Sequence, residues 1–330
     1  MAISATSSVL TANDWQYAKD IKPGDIVFNR LGQPVKVKTV QTYRSEDCYR
    51  VMFDDYLSVD GDRHLAFPTE DHAYRNRANR YRGVIKRTSV PKIRDVKDLL
   101  TTGLIYRKTR LFFSVPTTEP IQLPHQPQGI PPFLYGFWFL ARRPYRMMQV
   151  PVEFFEKVMQ KFKNAGYQVT ETRQLRPEFR RFRTNPSIWD QLRGFQTRTL
   201  PPLYLNGSPE QRLALLQGIF CARPLKTASK EGVFMYSARK KQTITAIQYL
   251  TESLGAKTKL AYHPIRRTND LRICRRKPFL EEMMEKRPVA HLARRYVKSI
   301  EPIPAQLCVH IETDEKDGTF LVGEGFISCH

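Results

Sequence analysis

Thiols, imidazoles and guanidinium groups are the side chains through which this sequence can do chemistry. In the run KSIEPIPAQLCVHIET, Cys308 and His310 stand two residues apart in an apolar stretch. Side chains at that spacing share one face of a strand, so a thiol and an imidazole point the same way. The other reading of Cys308 is a small buried residue in a strand. The five cysteines, Cys48, Cys221, Cys274, Cys308 and Cys329, are scattered without a CxxC pair. That pattern suggests neither a zinc site nor a disulfide framework, so reduced thiols are expected and no metal site is assigned. Arginine supplies the second chemistry. Arg75, Arg77, Arg80 and Arg82 alternate with Tyr74 and Tyr81, while Arg173, Arg176, Arg180, Arg181 and Arg183 lie around Phe179 and Phe182. Guanidinium groups contact phosphate, and interleaved rings pack their stems or stack on bases. At a formal net charge of +22, this clustering favours a polyanionic partner, nucleic acid first, over a merely soluble basic surface.

Such groups need elements to hold them. The 330 residues exceed the roughly 100 to 200 of a typical single domain, so more than one domain is expected. There is no run of about 18 apolar residues and no basic start followed by an apolar centre, so membrane and secretion readings fall away and a cytoplasmic protein is expected. Up to about residue 110, short patterns such as DIVF, PVKVKTV and CYRVMF alternate with Gly, Pro, Asn and Asp turns and predict a β-rich lobe. Residues 112–130, FFSVPTTEPIQLPHQPQGI, are proline-rich without helical periodicity and read as a linker. From residue 131 to about 287 apolar residues recur at helical spacing, in PPFLYGFWFLA, VEFFEKVMQKFKNAG, EQRLALLQGIF and ITAIQYLTESLGA. Strands such as VFMYS and TKLAY alternate with these helices.

The two ends carry a resemblance. The last stretch, LCVHIETDEKDGTFLVGEGFISCH, and the first, AISATSSVLTANDWQYAKDIKPGDIVF, are similar to the terminal splicing blocks of inteins, which excise themselves and join their flanking host segments. The resemblance sets Ala2 at the position of the Cys or Ser nucleophile and His330 at the penultimate histidine, whose following Asn is absent. It implies a natural intein captured in a splicing-dead form, with Met1 an added initiator. YLSVDGDRHLAF is similar to the second block and makes His64 the proton donor to the leaving amide nitrogen, with Gly61 where the family has Thr, so that backbone donors substitute for its hydroxyl. Imidazole serves that role near pH 7 and is worth on the order of a hundred-fold or more. The alternative for His64 is a surface histidine after an acidic turn, and His72 is a weaker rival in a solvated loop. Cys308 falls in the block that supplies an Asp or Cys to the splice site, where it tunes thiol chemistry or relays a proton, with His310 beside it. Cys329 is expected only to pack.

The middle resembles the LAGLIDADG homing endonucleases that interrupt inteins. Two motifs carry this, PPFLYGFWFLARR over residues 131–143 and RLALLQGIFCARP over residues 212–224, each an apolar helix with one glycine. Gly136 and Gly218 fit helices that pack at a pseudo-twofold axis, where close backbones leave no room for a Cβ. Two ordinary core helices are the plainer reading. Family motifs end in Asp or Glu, which hold the metal ions of phosphodiester hydrolysis. Here the corresponding places are Ala141 or Arg142 and Arg223, so cleavage is expected to be lost. Mg²⁺ would be needed only by an active nuclease, and splicing needs no cofactor.

The resemblance therefore implies an all-β Hedgehog/intein horseshoe, discontinuous over residues 1–125 and 293–330, with an inserted α+β LAGLIDADG-type domain over 126–292. Ala2 and His330 should be neighbours. Expected DNA contacts are Arg173, Arg176, Arg180, Arg181, Arg183, Arg239, Lys240, Lys241, Arg266, Arg267, Arg272, Arg275 and Arg276. The expected partners are double-stranded DNA and a flanking host protein, with end wording similar to inteins of phage terminases and replicative helicases. An active site-specific endonuclease and a non-enzymatic DNA-binding protein with an unrelated β domain are the competing readings. Two motifs in one chain favour a monomer.

Overall fold

The computed structural model describes residues 2–75, 91–106, 109–141, 147–192, 199–227, 233–274, 294–315 and 318–330, without the side chains of Gln174, Leu175, Trp189 and Thr227. Arg77, Arg80, Tyr81, Arg82, Arg142, Arg143, Arg275, Arg276 and the expected boundary near residue 292 lie outside the described residues.

Short strands dominate the N-terminal part: β1 Ile3–Ser4, β2 Ser8–Leu10, β3 Trp15–Tyr17, β4 Ile26–Phe28, β5 Pro34–Ser45, β6 Cys48–Phe53, β7 Ser58–Asp62, β8 Ala66–Thr69 and β9 Lys92–Asp95. Helix α1, Val96–Thr102, follows on an Asp95 cap that accepts from the Asp98 amide. Then come β10 Ile105–Tyr106, β11 Arg110–Leu111 and β12 Ser114–Pro116. The C-terminal part returns with β20 Arg294–Ile303, β21 Gln306–Thr313, β22 Phe320–Val322 and β23 Ile327–Cys329. These strands interleave with the first set. One sheet runs β12-β20-β6-β7-β1-β21-β5-β4 and a second runs β23-β22-β2-β3. Alternation explains the register: in β5, Val35 and Val37 are buried while Lys36 and Lys38 face solvent. β1 lies between β7 and β21, so the chain's first residues are clamped in the middle of the large sheet.

Between these parts stands an α+β unit. Its elements are α2 Pro132–Leu140, β13 Met148–Pro151, α3 Phe155–Asn164, β14 Gln168–Arg176, β15 Phe179–Asn185, α4 Ile188–Gln191 and α5 Pro202–Leu205. They continue with α6 Pro209–Ala222, β16 Lys226–Thr227, β17 Phe234–Ala238, α7 Lys241–Ser253, β18 Lys257–His263 and β19 Thr268–Cys274. The topology repeats. The first sheet is ordered β13-β15-β14 and the second β16-β17-β19-β18. In the first half a helix, a strand, a helix and a hairpin follow in turn, and the second half repeats this with the strand pair β16–β17 in place of the single strand. Every residue from Phe133 to Phe139 is buried, as suits a helix that is apolar all round. α6 begins on a capping box made by Ser208 and Gln211, with Pro209 in its first turn.

The two central helices meet at their glycines. A Cβ on Gly136 would lie 2.1 Å from the Leu215 carbonyl oxygen, and one on Gly218 would lie 2.0 Å from the Phe133 carbonyl oxygen. Each of these carbonyls belongs to the residue three before the other helix's glycine, so the contact is reciprocal, as a local twofold requires. The helices start side by side, because Gln211 at the head of α6 bonds Gln126, and Tyr204 bonds the Ile130 carbonyl.

Residues 112–130 differ from the linker expected. Their start forms β12, paired with β20 from Ser114↔Tyr296 to Pro116↔Arg294. Pro116 is tolerated because β12 is an edge strand. Ile121 and Leu123 then pack with Phe28, Leu321 and Phe326. The buried Arg212 fastens this segment to the α+β unit by donating to the carbonyls of Gly207, Ser253 and Ile121. Burial among neutral carbonyls pulls that guanidinium down to about 10.

Candidate functional site

The first site surrounds Ala2. Its N–H donates to Asp62 Oδ1 at 3.2 Å, and its carbonyl accepts from the Asp62 N–H at 3.1 Å. The His64 N–H donates to the same Oδ1 at 3.0 Å, and the Tyr43 hydroxyl donates to Oδ2 at 2.6 Å. Ala2 is fully buried and packs with the Cys48 and Cys308 side chains, whose sulfurs are 3.9 Å apart. The β1–β21 register pairs Ile3 with Val309 and Ser4 with Cys308. Continued by one residue, it sets Ala2 opposite His310. Val309 and Ile311 point into the main β core, so alternation turns Cys308 and His310 toward the face that holds Ala2.

Burial and the Asp62 charge together set the electrostatics of the site. Burial, the Cys48 thiol and the Asp62 carboxylate push the Cys308 thiol up to about 12. Tyr43 is also raised, first by burial and then by its bond to Asp62. Gly61 has a steric reason: a Cβ there would lie 2.5 Å from the Ala2 carbonyl oxygen and 3.1 Å from Leu65. A threonine cannot occupy the place, and the backbone N–H of Asp62 serves the Ala2 carbonyl instead.

The histidines are distributed differently from one another. The His64 ring is half exposed, with Nδ1 3.8 Å from Asp95 and Nε2 accepting from Arg63 at 3.1 Å. Only its backbone N–H joins the Asp62 cluster. The His330 N–H donates to the Ala66 carbonyl at 2.9 Å, and its ring lies against Gly318, where a Cβ would fall 2.9 Å from Nε2. Ala2 and His330 are thus tied to residues 62 and 66. Four residues span at most roughly 14 Å, and the Leu65 N–H to Asp62 carbonyl bond tightens the turn. Cys329 is buried in the β core, which holds its thiol above the usual range. Sequence reasoning missed Asp62, Tyr43 and Cys48. The one local signal was the carboxylate in GDRH, two residues before His64.

The second site is the pair of sheet faces turned away from the central helices. Phe182, Met148 and Val150 are buried against those helices, so the alternate positions Arg181 and Arg183 stand on the open side, across from Thr172 and Thr170. Gln149, its amide oriented with oxygen toward Arg181, accepts from Nη2 at 2.7 Å and Nε at 2.6 Å. Arg176 pairs with Phe179 on the same side, and Arg173 is exposed. Arg180 leaves the expected set. It shares the face of Phe182, stacks 3.5 Å above the Phe155 ring and pairs with Glu171 and Glu156 at 2.6 and 2.9 Å. Arg75 leaves the basic strip too, buried and donating to the carbonyls of Glu70, Leu111 and Phe112 and to Ser114 Oγ.

On the second sheet the register aligns Lys226, Met235, Arg272 and Lys259 in one transverse row; Lys226 and Arg272 are exposed, while Lys259 at the end of the row donates to the Asp54 carbonyl and stands over the Tyr56 ring of the β unit. Arg239, Lys240 and Lys241 occupy the exposed turn into α7, and Arg266 and Arg267 the exposed tip of the β18–β19 hairpin. Asn269 ties these two turns together by donating to the carbonyls of Ala238 and Arg239.

The helix ends complete the inventory. Ala141 closes α2 and Arg223 closes α6, the Arg223 charge acting on the Tyr236 hydroxyl. Among the described residues no group of three His, Cys, Asp or Glu could hold a metal ion. The donor set at these described ends does not fit Mg²⁺. Among the described residues no helix is long and apolar enough to cross a membrane.

No family model matches the chain, and no curated protein matches it. Among solved structures it is similar to the MchDnaB-1 intein at 23% identity and TM-score 0.20, over 21% of this chain and 53% of that one. It is similar to the gp41-1 intein at 15% identity and TM-score 0.22, over 34% and 73%. It is also similar to I-DmoI in complex with DNA and Mn, at 11% identity and TM-score 0.32, over 48% and 93%. The chain spans about half the length of the first of these inteins.

Proposed function

We propose that the β unit is a single-turnover, autocatalytic protein-processing element of the intein kind. It acts on the peptide bond whose nitrogen belongs to Ala2. The observation that carries this is the burial of that nitrogen on Asp62 beside two thiols. Ala2 has no nucleophile of its own, so the attacking thiol comes from the neighbouring strand. Cys308 is the choice, because the Cys48 thiol also donates to the Ser45 carbonyl. Attack of Cys308 Sγ on the carbonyl before Ala2 forms a thioester and frees the Ala2 amine. On this reading Ala2 is no sign of a silenced splice site. The docking of residues 2 and 330 on residues 62 and 66 supports transfer of the upstream segment to a downstream one, since holding both ends in place makes the exchange intramolecular. The host segments and their identity, a phage terminase or replicative helicase by the wording of the ends, belong to the same proposal.

The α+β unit, on this reading, binds duplex DNA through its open sheet faces and has lost cleavage. Phosphate contacts from Arg181, Arg183, Arg272 and the two basic turns would position the duplex.

The test of processing is the full chain preceded by a ten-residue peptide and incubated with dithiothreitol. Intact mass should show release of that peptide from the wild type and none from Cys308→Ala. A folded wild type that releases nothing would falsify the reading. For DNA binding, the affinity for duplex should fall steeply with salt, and a slope near zero would remove that half of the proposal.

A further inference from the structure

Resting on the processing reading, we infer that Asp62 is the proton carrier of the reaction at Ala2, in the place the terminal motifs assign to the His64 imidazole. The geometry is direct. Asp62 Oδ1 is the hydrogen-bond partner of the Ala2 nitrogen at 3.2 Å, the atom that must gain a proton when the bond breaks. The His64 ring faces Arg63 and Asp95 at the surface. Asp62 is 3% exposed, and three donors fix its carboxylate: Ala2 and Tyr43 from other strands and His64 from its own turn. Only one of these, the Ala2 nitrogen, changes its bonding in the reaction.

The step balances without an external reagent. Cys308 Sγ bonds to the carbonyl carbon while its proton passes to the Asp62 carboxylate. The resulting carboxylic acid returns that proton to the Ala2 nitrogen as the C–N bond breaks. One S–H and one C–N bond are exchanged for one S–C and one N–H bond, and Asp62 ends as it began. A carrier is needed because a thiol held near 12 is almost wholly protonated at neutral pH. The titratable groups around Asp62 are Tyr43 from β5, Cys48 from β6, Cys308 and His310 from β21, and Arg63 and His64 from its own turn.

The test uses the same full chain carrying an upstream peptide, with release by dithiothreitol as the readout and near-UV circular dichroism as the check of folding. Asp62→Asn keeps the shape and an acceptor for the Ala2 N–H but cannot carry the proton. It should slow release on the order of a hundred-fold. Asp62→Ala is the second variant, and added sodium formate, a carboxylate small enough for the vacated space, should restore part of its rate. Release from Asp62→Asn within threefold of the wild type, or an Asp62→Ala rate that formate leaves unmoved, overturns the assignment of Asp62 while the processing reading stands. A wild type that releases nothing removes the processing reading itself, and the two failures are distinct.

Discussion

The two halves of the α+β unit are built to one topology and face different neighbours. In the first half the charge on the helix-facing side is satisfied within the half, with Arg180 stacked on Phe155 and paired with Glu156 and Glu171. In the second half the corresponding hairpin is engaged by the β unit. Lys257 pairs with Asp54 at 2.5 Å and donates to the Arg294 carbonyl, and Lys259 stands 4.2 Å over the Tyr56 ring. Behind that hairpin, Glu252 of α7 lies 3.6 Å from Arg295, which also holds Asp55 at 2.8 Å. The repeated topology sets the frame of each half, and the β unit decides what the charges of the second half's hairpin do. The resemblance between halves is therefore strongest along the helix axis and weakest at the sheet edges.

The largest expected effect tests what the halves share. Gly136→Val and Gly218→Val each force a side chain onto a backbone carbonyl that cannot turn aside, since the contacts at 2.1 and 2.0 Å are with main chain. Each should cost about 4 kcal/mol or more, enough to unfold the unit in thermal melts. The reciprocal contact requires equal damage. A variant that melts within a few degrees of the wild type at either position would break the twofold reading.

A smaller effect tests what only the second half has. Glu252 is raised to about 7 because burial outweighs the nearby Arg295 guanidinium. The folded chain holds a proton there that the unfolded chain, with an ordinary value of 4.5, has already lost. The stabilisation is complete below about pH 4.5 and disappears as the pH rises through 7. Its size is about 3 kcal/mol between those limits. Denaturant titrations at pH 5 and pH 8 should show this loss in the wild type and its absence in Glu252→Gln. Equal slopes in both proteins would mean that Glu252 is ionised throughout.

How far these features were legible in the sequence depends on distance along the chain. The period of β5, the apolar helices α2 and α6 and their single glycines are local patterns, and each appears at the place expected. The parity of Arg180 was also local: it stands two residues from the core residue Phe182, so it shares the inward face, yet the run of arginines hid the alternation. Asp62 was not legible, because its partners Ala2 and Tyr43 are 60 and 19 residues away. The Asp55, Glu252 and Arg295 cluster joins three distant segments in the same way. Proline-rich residues 112–130 read as linker because proline fixes φ and withholds a ladder N–H, while composition says nothing of the edge position beside β20 at which a strand tolerates it.

The smallest effect separates two neighbouring arginines on one strand. Arg181 lies on the open face beside Gln149, and Arg180 lies on the helix-facing side with both its acids. If the open faces receive duplex DNA, Arg181→Ala removes one phosphate contact and should lower the salt slope of binding by about one. Arg180→Ala should leave that slope in place and act on folding instead, through the lost stacking on Phe155 and two unpaired carboxylates. Because both acids are partly exposed, its cost in stability should be modest, about 1 kcal/mol. Binding titrations at several salt concentrations decide between the faces. A lowered slope for Arg180→Ala with none for Arg181→Ala would reverse the face on which the duplex lies.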